Sequence, residues 1–164
     1  MGKTLSWIIK RLLLPLLPFF IGVLIRTILQ VSFKCHIIDP AELSFSMAML
    51  CFFVSLSASK NRDKNIADTL STIFMWFLVY FVILFTLSLI GRVYIENSLT
   101  EALQKVRNLL EVGGSKLDML KILNSEEAEK YKSIIDVVRW FAIIPSIFVL
   151  VTSIICKYNY KLGD

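Results

Sequence analysis

Apolar positions along the chain fall into four long blocks, at roughly residues 12–31, 41–59, 70–90 and 134–156, with polar stretches between them. Each block holds about 20 residues, and about 20 residues rising 1.5 Å each cross a hydrocarbon core about 30 Å thick. Lipid offers the backbone no hydrogen-bond partner, so a block of this kind takes the helical form that closes its own N–H and C=O groups. The pattern predicts an all-α polytopic membrane protein. Residues 1–164 form a single domain, a four-transmembrane-helix bundle with a small helical extramembrane lobe over 91–133, between helices 3 and 4.

Local signals place the helix ends. Trp7, Lys10 and Arg11 precede the first block, where a ring and cations prefer the headgroup level. Pro15 and Pro18 remove donors from its early turns and predict a bend. Asp39 reads as the N-cap of the second helix, with Pro40 at its first position and Glu42 completing a capping box. A tight polar turn over 60–65 follows, and Asn65 with Asp68 three residues on predicts the start of the third helix. That helix carries a bulky aromatic surface that includes Phe74, Trp76, Tyr80 and Phe85. Pro145, near the middle of the fourth block, predicts a kink and a carbonyl without a donor one turn earlier.

In the lobe, Leu99, Leu103, Val106 and Leu110 recur at helical spacing after a Ser98/Glu101 capping box, which predicts a separate amphipathic helix ended by Gly113-Gly114. Ser115 then caps a second short helix with Leu117, Leu120 and Leu123. So short a lobe cannot hold a core of its own. It is expected to pack on the bundle or on further copies in a homo-oligomer.

Composition agrees with the pattern: 56% of residues are hydrophobic and the mean hydropathy is +0.69. A net charge of +5 would suggest nucleic acid in a soluble protein, but the cations lie mostly at block ends, where they set topology and meet lipid headgroups. Lys3, Lys10, Arg11, Lys60, Arg62, Lys64, Lys157 and Lys161 fall in short segments on one side, against Lys34 in the first loop on the other, where the long loop adds seven Lys and Arg balanced by seven acids. The positive-inside rule then puts both termini in the cytoplasm. The first block lacks a small-x-small cleavage site and reads as a span, not as a signal peptide. Residues with AT-rich codons (Phe, Tyr, Met, Ile, Asn, Lys) outnumber Gly, Ala, Arg and Pro, as in AT-rich genomes and many horizontally acquired bacterial genes, and the expected location is a bacterial inner membrane.

Arg26 and Arg139 stand inside apolar blocks, where a guanidinium costs roughly 2.5 to 3.5 kcal/mol at the bilayer centre and needs compensation. Glu42, Glu96 and Asp136 lie near the same boundary, so the five form a candidate outer-leaflet polar cluster. Asp136 and Arg139, three apart, share a helix face. Such a cluster either senses an external ligand, charge or potential or lines the mouth of a pore, or it fixes the packing of helices 1, 2 and 4, and the packing reading is preferred. A second feature is a stripe of small residues, Ser44, Ala48, Cys51, Ser55 and Ala58 or Ser59, matched by Ala142, Ser146 and Ser153 in the fourth block. It suits close helix packing or, at an oligomer axis, the lining of a pore.

Enzyme signatures are sparse. His36 is the sole histidine and sits beside Cys35 with no framed partner. Cys35, Cys51 and Cys156 show no metal or redox spacing. Gly113-Gly114-Ser115-Lys116 lacks the full phosphate-loop pattern. No catalytic residue, cofactor or metal is expected.

The four-span layout with both ends on one side resembles, over the whole chain, small membrane proteins of bacterial conflict systems. Examples are the membrane subunit of Kiwa-type phage defence and immunity proteins against pore-forming bacteriocins. A basic inward face at Lys60, Arg62 and Lys64, combined with the polar outer cluster, points to a sensor that relays a membrane or extracytoplasmic event to a cytoplasmic protein partner. The alternatives are a membrane pore or ion channel and a purely structural anchor.

Overall fold

The computed structural model describes residues 6–28, 38–61, 63–111 and 126–160. Cys35, His36, Arg62 and the predicted turn and short helix over 112–125 lie outside them. A π-helical turn, Ile9–Leu13, leads into α1, Leu14–Ile28, which is followed by α2, Pro40–Ala58, α3, Lys64–Glu111, and α4, Glu126–Tyr160. Four stretches within these elements are long and apolar enough to cross a membrane: Ser6–Ile28, Pro40–Ala58, Lys64–Glu111 and Ser133–Tyr160. The fold is all-helical among the described residues and fits a membrane protein.

The centre of the fold is α2. The other three helices all pack on it, α3 and α4 also pack on each other, and the backbone of α1 rests on α2 alone. Met47, Leu50, Cys51 and Val54 are fully buried. Its one open stripe is Phe45, Met49, Phe52 and Leu56, spaced by four, three and four along one helix face. A helix that is apolar nearly all round belongs in a core. By contrast, α1, α3 and α4 turn large apolar side chains outward, with Trp76 71%, Ile28 70% and Ile144 64% exposed. Contiguous apolar surface on this scale suits a hydrocarbon surround.

At the start of α2, Asp39 is extended and its Oδ1 accepts from Ala41 N at 2.8 Å, with Pro40 as the first helical residue. Glu42 does not complete the predicted capping box. Its carboxylate turns to a guanidinium on α1, because a charge-assisted fork outbids a bond to a single backbone N–H. The N-cap of α3 also differs from the sequence reading: Asp63, not Asn65, accepts from the N–H groups of Asn65 and Ile66.

A larger departure is the length of α3. No separate lobe helix begins at Ser98. The span continues unbroken to Glu111, so Ser98 and Glu101 are helix-interior residues. A capping box works only where the chain enters a helix from a non-helical residue. Here residues 92–111 contain neither Pro nor Gly, and extending an existing helix adds one hydrogen bond per residue with no new nucleus to form.

The prolines act through the donors they lack. Pro15 offers no N–H to Arg11, and the ladder just before it slips by one residue, Leu14 N donating to Ile9 O in the π-helical turn. In α4, Pro145 leaves the carbonyl of Phe141 without its usual donor, and Tyr80 Oη of α3 donates to that carbonyl at 2.8 Å. Tyr80→Phe keeps the ring and removes the donor. It is expected to lower stability by about 1 kcal/mol, read as a lower unfolding midpoint in detergent, and an unchanged midpoint would show that the carbonyl is satisfied in another way.

Candidate functional site

Because α1 and α2 run in opposite directions, the last turns of α1 face the first turn of α2. Arg26 of α1 meets Glu42 there as two parallel bonds, Nη1 to Oε2 at 3.0 Å and Nη2 to Oε1 at 2.6 Å. This two-pronged geometry is what a planar guanidinium offers and an ammonium does not. The same Nη2 reaches Asp39 Oδ2 at 3.2 Å. From α3, Arg92 Nη2 donates to that same Oδ2 at 2.8 Å. From α4, Arg139 donates through Nε to the carbonyl of Ile38 at 3.0 Å and through Nη1 to Asp136.

Three arginines from three helices therefore converge on residues 38–42, the segment leading into the fourth. Asp39 carries the most: one carboxylate oxygen caps α2 while the other receives Arg26 and Arg92. Arg26, Arg92 and Arg139 are matched in number by Asp39, Glu42 and Asp136, so the formal charges cancel. Arg26, Asp39 and Arg139 are largely buried, whereas Arg92 is about half exposed, its side chain at 55%. The node thus has a sheltered interior and one wet arm.

Gly22 makes the Glu42 contact possible. It lies one turn before Arg26 on the same face of α1, and a Cβ there would stand 1.9 Å from Glu42 Oε2. Of the five residues in the sequence-based cluster, the structure joins Arg26 to Glu42 and Asp136 to Arg139. It leaves Glu96 outside the ion pairs among the described residues. Arg92, Gly22 and the ion-pair role of Asp39 are the parts of the node that sequence reasoning missed. The available signal was a capping aspartate only a loop away from the span arginine, with a glycine four residues before that arginine. Beside the node, Arg92, Glu96 and Arg139 border a cleft of about 310 Å³ between α3, α4 and the start of α2.

The small-residue stripe lies inside one chain. Ser44, Ala48, Cys51 and Ser55 are buried, and Ser55 Oγ meets Ser71 Oγ of α3 at 2.8 Å. Of the two residues that could continue the stripe, Ala58 is buried and does so, whereas Ser59 does not. It is exposed as the C-cap of α2, and its hydroxyl donates to Leu56 O, because the helix ends before its face can pack. Ala142 and Ser146 are buried in α4, the Ser146 hydroxyl donating to Ala142 O at 2.6 Å.

At the opposite end, Lys60 and Lys64 are exposed. Lys157 is buried, its Nζ 5.6 Å from the centroid of the Trp7 ring, a distance at which a cation is drawn to an aromatic face. Asn61 Nδ2 donates to Tyr160 O at 3.2 Å and ties the α2–α3 turn to the end of α4.

No protein-family model matches the chain, and no curated protein or solved structure is significantly similar to it. A functional reading therefore stands on the geometry. The node contains no nucleophile paired with a base. Its chemistry is ionic: it ties α1, α3 and α4 to the start of α2.

Proposed function

We propose that the chain is a four-span bundle of a bacterial inner membrane, with cytoplasmic termini, that assembles with copies of itself, senses an event at the outer face and relays it to a cytoplasmic protein partner. The observation that carries this reading is α3, one helix of 48 residues and about 70 Å long. It starts beside the basic turn with Lys60 and Lys64 and continues past the node at Arg92. A hydrogen-bonded rod of this kind passes a shift from one end to the other, and the node links it to α1, α2 and α4. The excess of cations in short segments at the termini end supports the orientation. The outward apolar faces support a lipid surround or further copies, and the antiviral part of the reading rests on the resemblance of the four-span layout to membrane subunits of phage-defence systems.

The pore alternative has less behind it, since Ser44, Ala48, Cys51 and Ser55 are closed in by helices of the same chain. The relay is testable with spin labels at Lys64→Cys and Asn159→Cys on a background free of other cysteines. When an antibody fragment engages the lobe, the distance between the labels is expected to shift. Two glycines inserted after Asn97 interrupt the helix and are expected to abolish the shift. A distance that stays constant with α3 intact refutes the relay.

A further inference from the structure

We propose that the cleft between α3 and α4 beside Asp39 binds the phosphoethanolamine headgroup of a membrane phospholipid, with its phosphate on Arg92 and its ammonium on Glu96. This inference depends on the membrane-spanning reading above. Four observations lead to it.

The first is the level of the cleft. From Thr69 to Gly91 the chain carries no charge, which as a helix is a length of about 35 Å against a hydrocarbon core of about 30 Å. Arg92 and Glu96 emerge where headgroups lie, with Tyr94 between them at the depth aromatic belts favour. The second is the wall. The cleft, about 310 Å³, has apolar flanks that include Ile95 and Ile135, while Asp39, Arg92, Glu96 and Arg139 supply its polar edge. That volume is at the low end of small-molecule sites, enough for a headgroup and the first carbons of its chains.

The third is charge balance. Two guanidinium and two carboxylate groups border one small space, but Arg139 is committed to Asp136 and Ile38 and Asp39 to Arg26 and Arg92, which leaves the half-exposed Arg92 and the exposed Glu96 as one group of each sign. A zwitterion satisfies both signs. The fourth is the state of the two arms. Arg92 precedes Glu96 by one turn, a spacing at which side chains can pair, yet Arg92 turns to Asp39 through Nη2. Its side chain is about half exposed, and the Glu96 carboxylate has no ion partner among the described residues.

The test uses full-length protein, purified in detergent, stripped of lipid and offered equimolar phosphatidylethanolamine and phosphatidylglycerol, with bound lipid counted by native mass spectrometry. Wild type is expected to retain phosphatidylethanolamine over phosphatidylglycerol by about fivefold, the scale of one exposed ion pair. Glu96→Gln, an exposed change outside the node's ion pairs, is expected to bring the ratio near one while phospholipid is still retained. Equal retention by wild type, or an undiminished preference in Glu96→Gln, overturns the proposal. Binding of O-phosphoethanolamine as tight as that of the lipid would assign the cleft to a soluble zwitterion and overturn it too. Recovery of the protein as a dissolved monomer without detergent would remove the membrane reading and this site with it, a result distinct from a membrane-inserted protein with no headgroup preference.

Discussion

Replacing Asp39 with alanine is expected to lower the stability of the protein by about 3 kcal/mol, because three interactions are lost at once. Losing the cap of α2 costs about 1 kcal/mol, because Ala41 N no longer has its acceptor. Losing the carboxylate frees Arg92, whose half-exposed pair is worth no more than about 1 kcal/mol. It also leaves Arg26, which is largely buried, with Glu42 alone, and removing one charge-assisted partner from a buried guanidinium costs about 1 to 2 kcal/mol. Asp39→Asn separates these contributions. Asparagine is as good a cap as aspartate but brings no charge, so it is expected to recover about 1 kcal/mol of the loss. Unfolding midpoints in detergent give both numbers, and an Asp39→Ala protein as stable as wild type would mean that the node does not hold the helices.

Gly22→Ala supplies the second large effect, and its sign depends on a residue on another helix. In a helix interior, alanine is ordinarily more stable than glycine by about 1 kcal/mol. Here the added Cβ would stand 1.9 Å from Glu42 Oε2, and the carboxylate must leave the fork with Arg26. Losing two charge-assisted bonds costs about 3 kcal/mol, so the net result is a destabilisation of about 2 kcal/mol. In a Glu42→Ala background there is no carboxylate to displace, and the same substitution is expected to stabilise by about 1 kcal/mol. The swing between backgrounds is the coupling energy of the pair. A Gly22→Ala effect of one sign in both backgrounds would show that the glycine does not serve Glu42.

What could be read from the sequence follows from which interactions are local. The four spans are visible because apolar runs and membrane thickness are matched without reference to any neighbour. The Asp39-Pro40 start of α2 and the orphaned carbonyl before Pro145 are visible because each involves residues within one turn. Asp136 and Arg139 could be paired in advance for the same reason. The full extent of α3 was hidden because Ser98 and Glu101 have the residue types of a capping box, and only the state of the residues before them decides whether they cap. Asp39 was legible as a cap but not as a hub, since the arginines it receives are 13 and 53 positions away. Gly22 was hidden more deeply. Its importance is the space it leaves for a side chain from another helix, and an empty volume has no signature in a linear pattern.

The central position of α2 has a consequence for how the protein is made. It is the least hydrophobic of the four candidate spans, with a mean hydropathy of 1.6 against 2.1 to 2.6 for the others, and its serines and cysteine are shielded by its neighbours in the finished fold. During synthesis it reaches the bilayer before α3 and α4 exist to shield it. Only five residues, 59–63, separate it from α3, whose membrane-spanning stretch is the most apolar of the four. The two are thus best delivered to lipid as one hairpin, the greasier arm carrying the more polar one in.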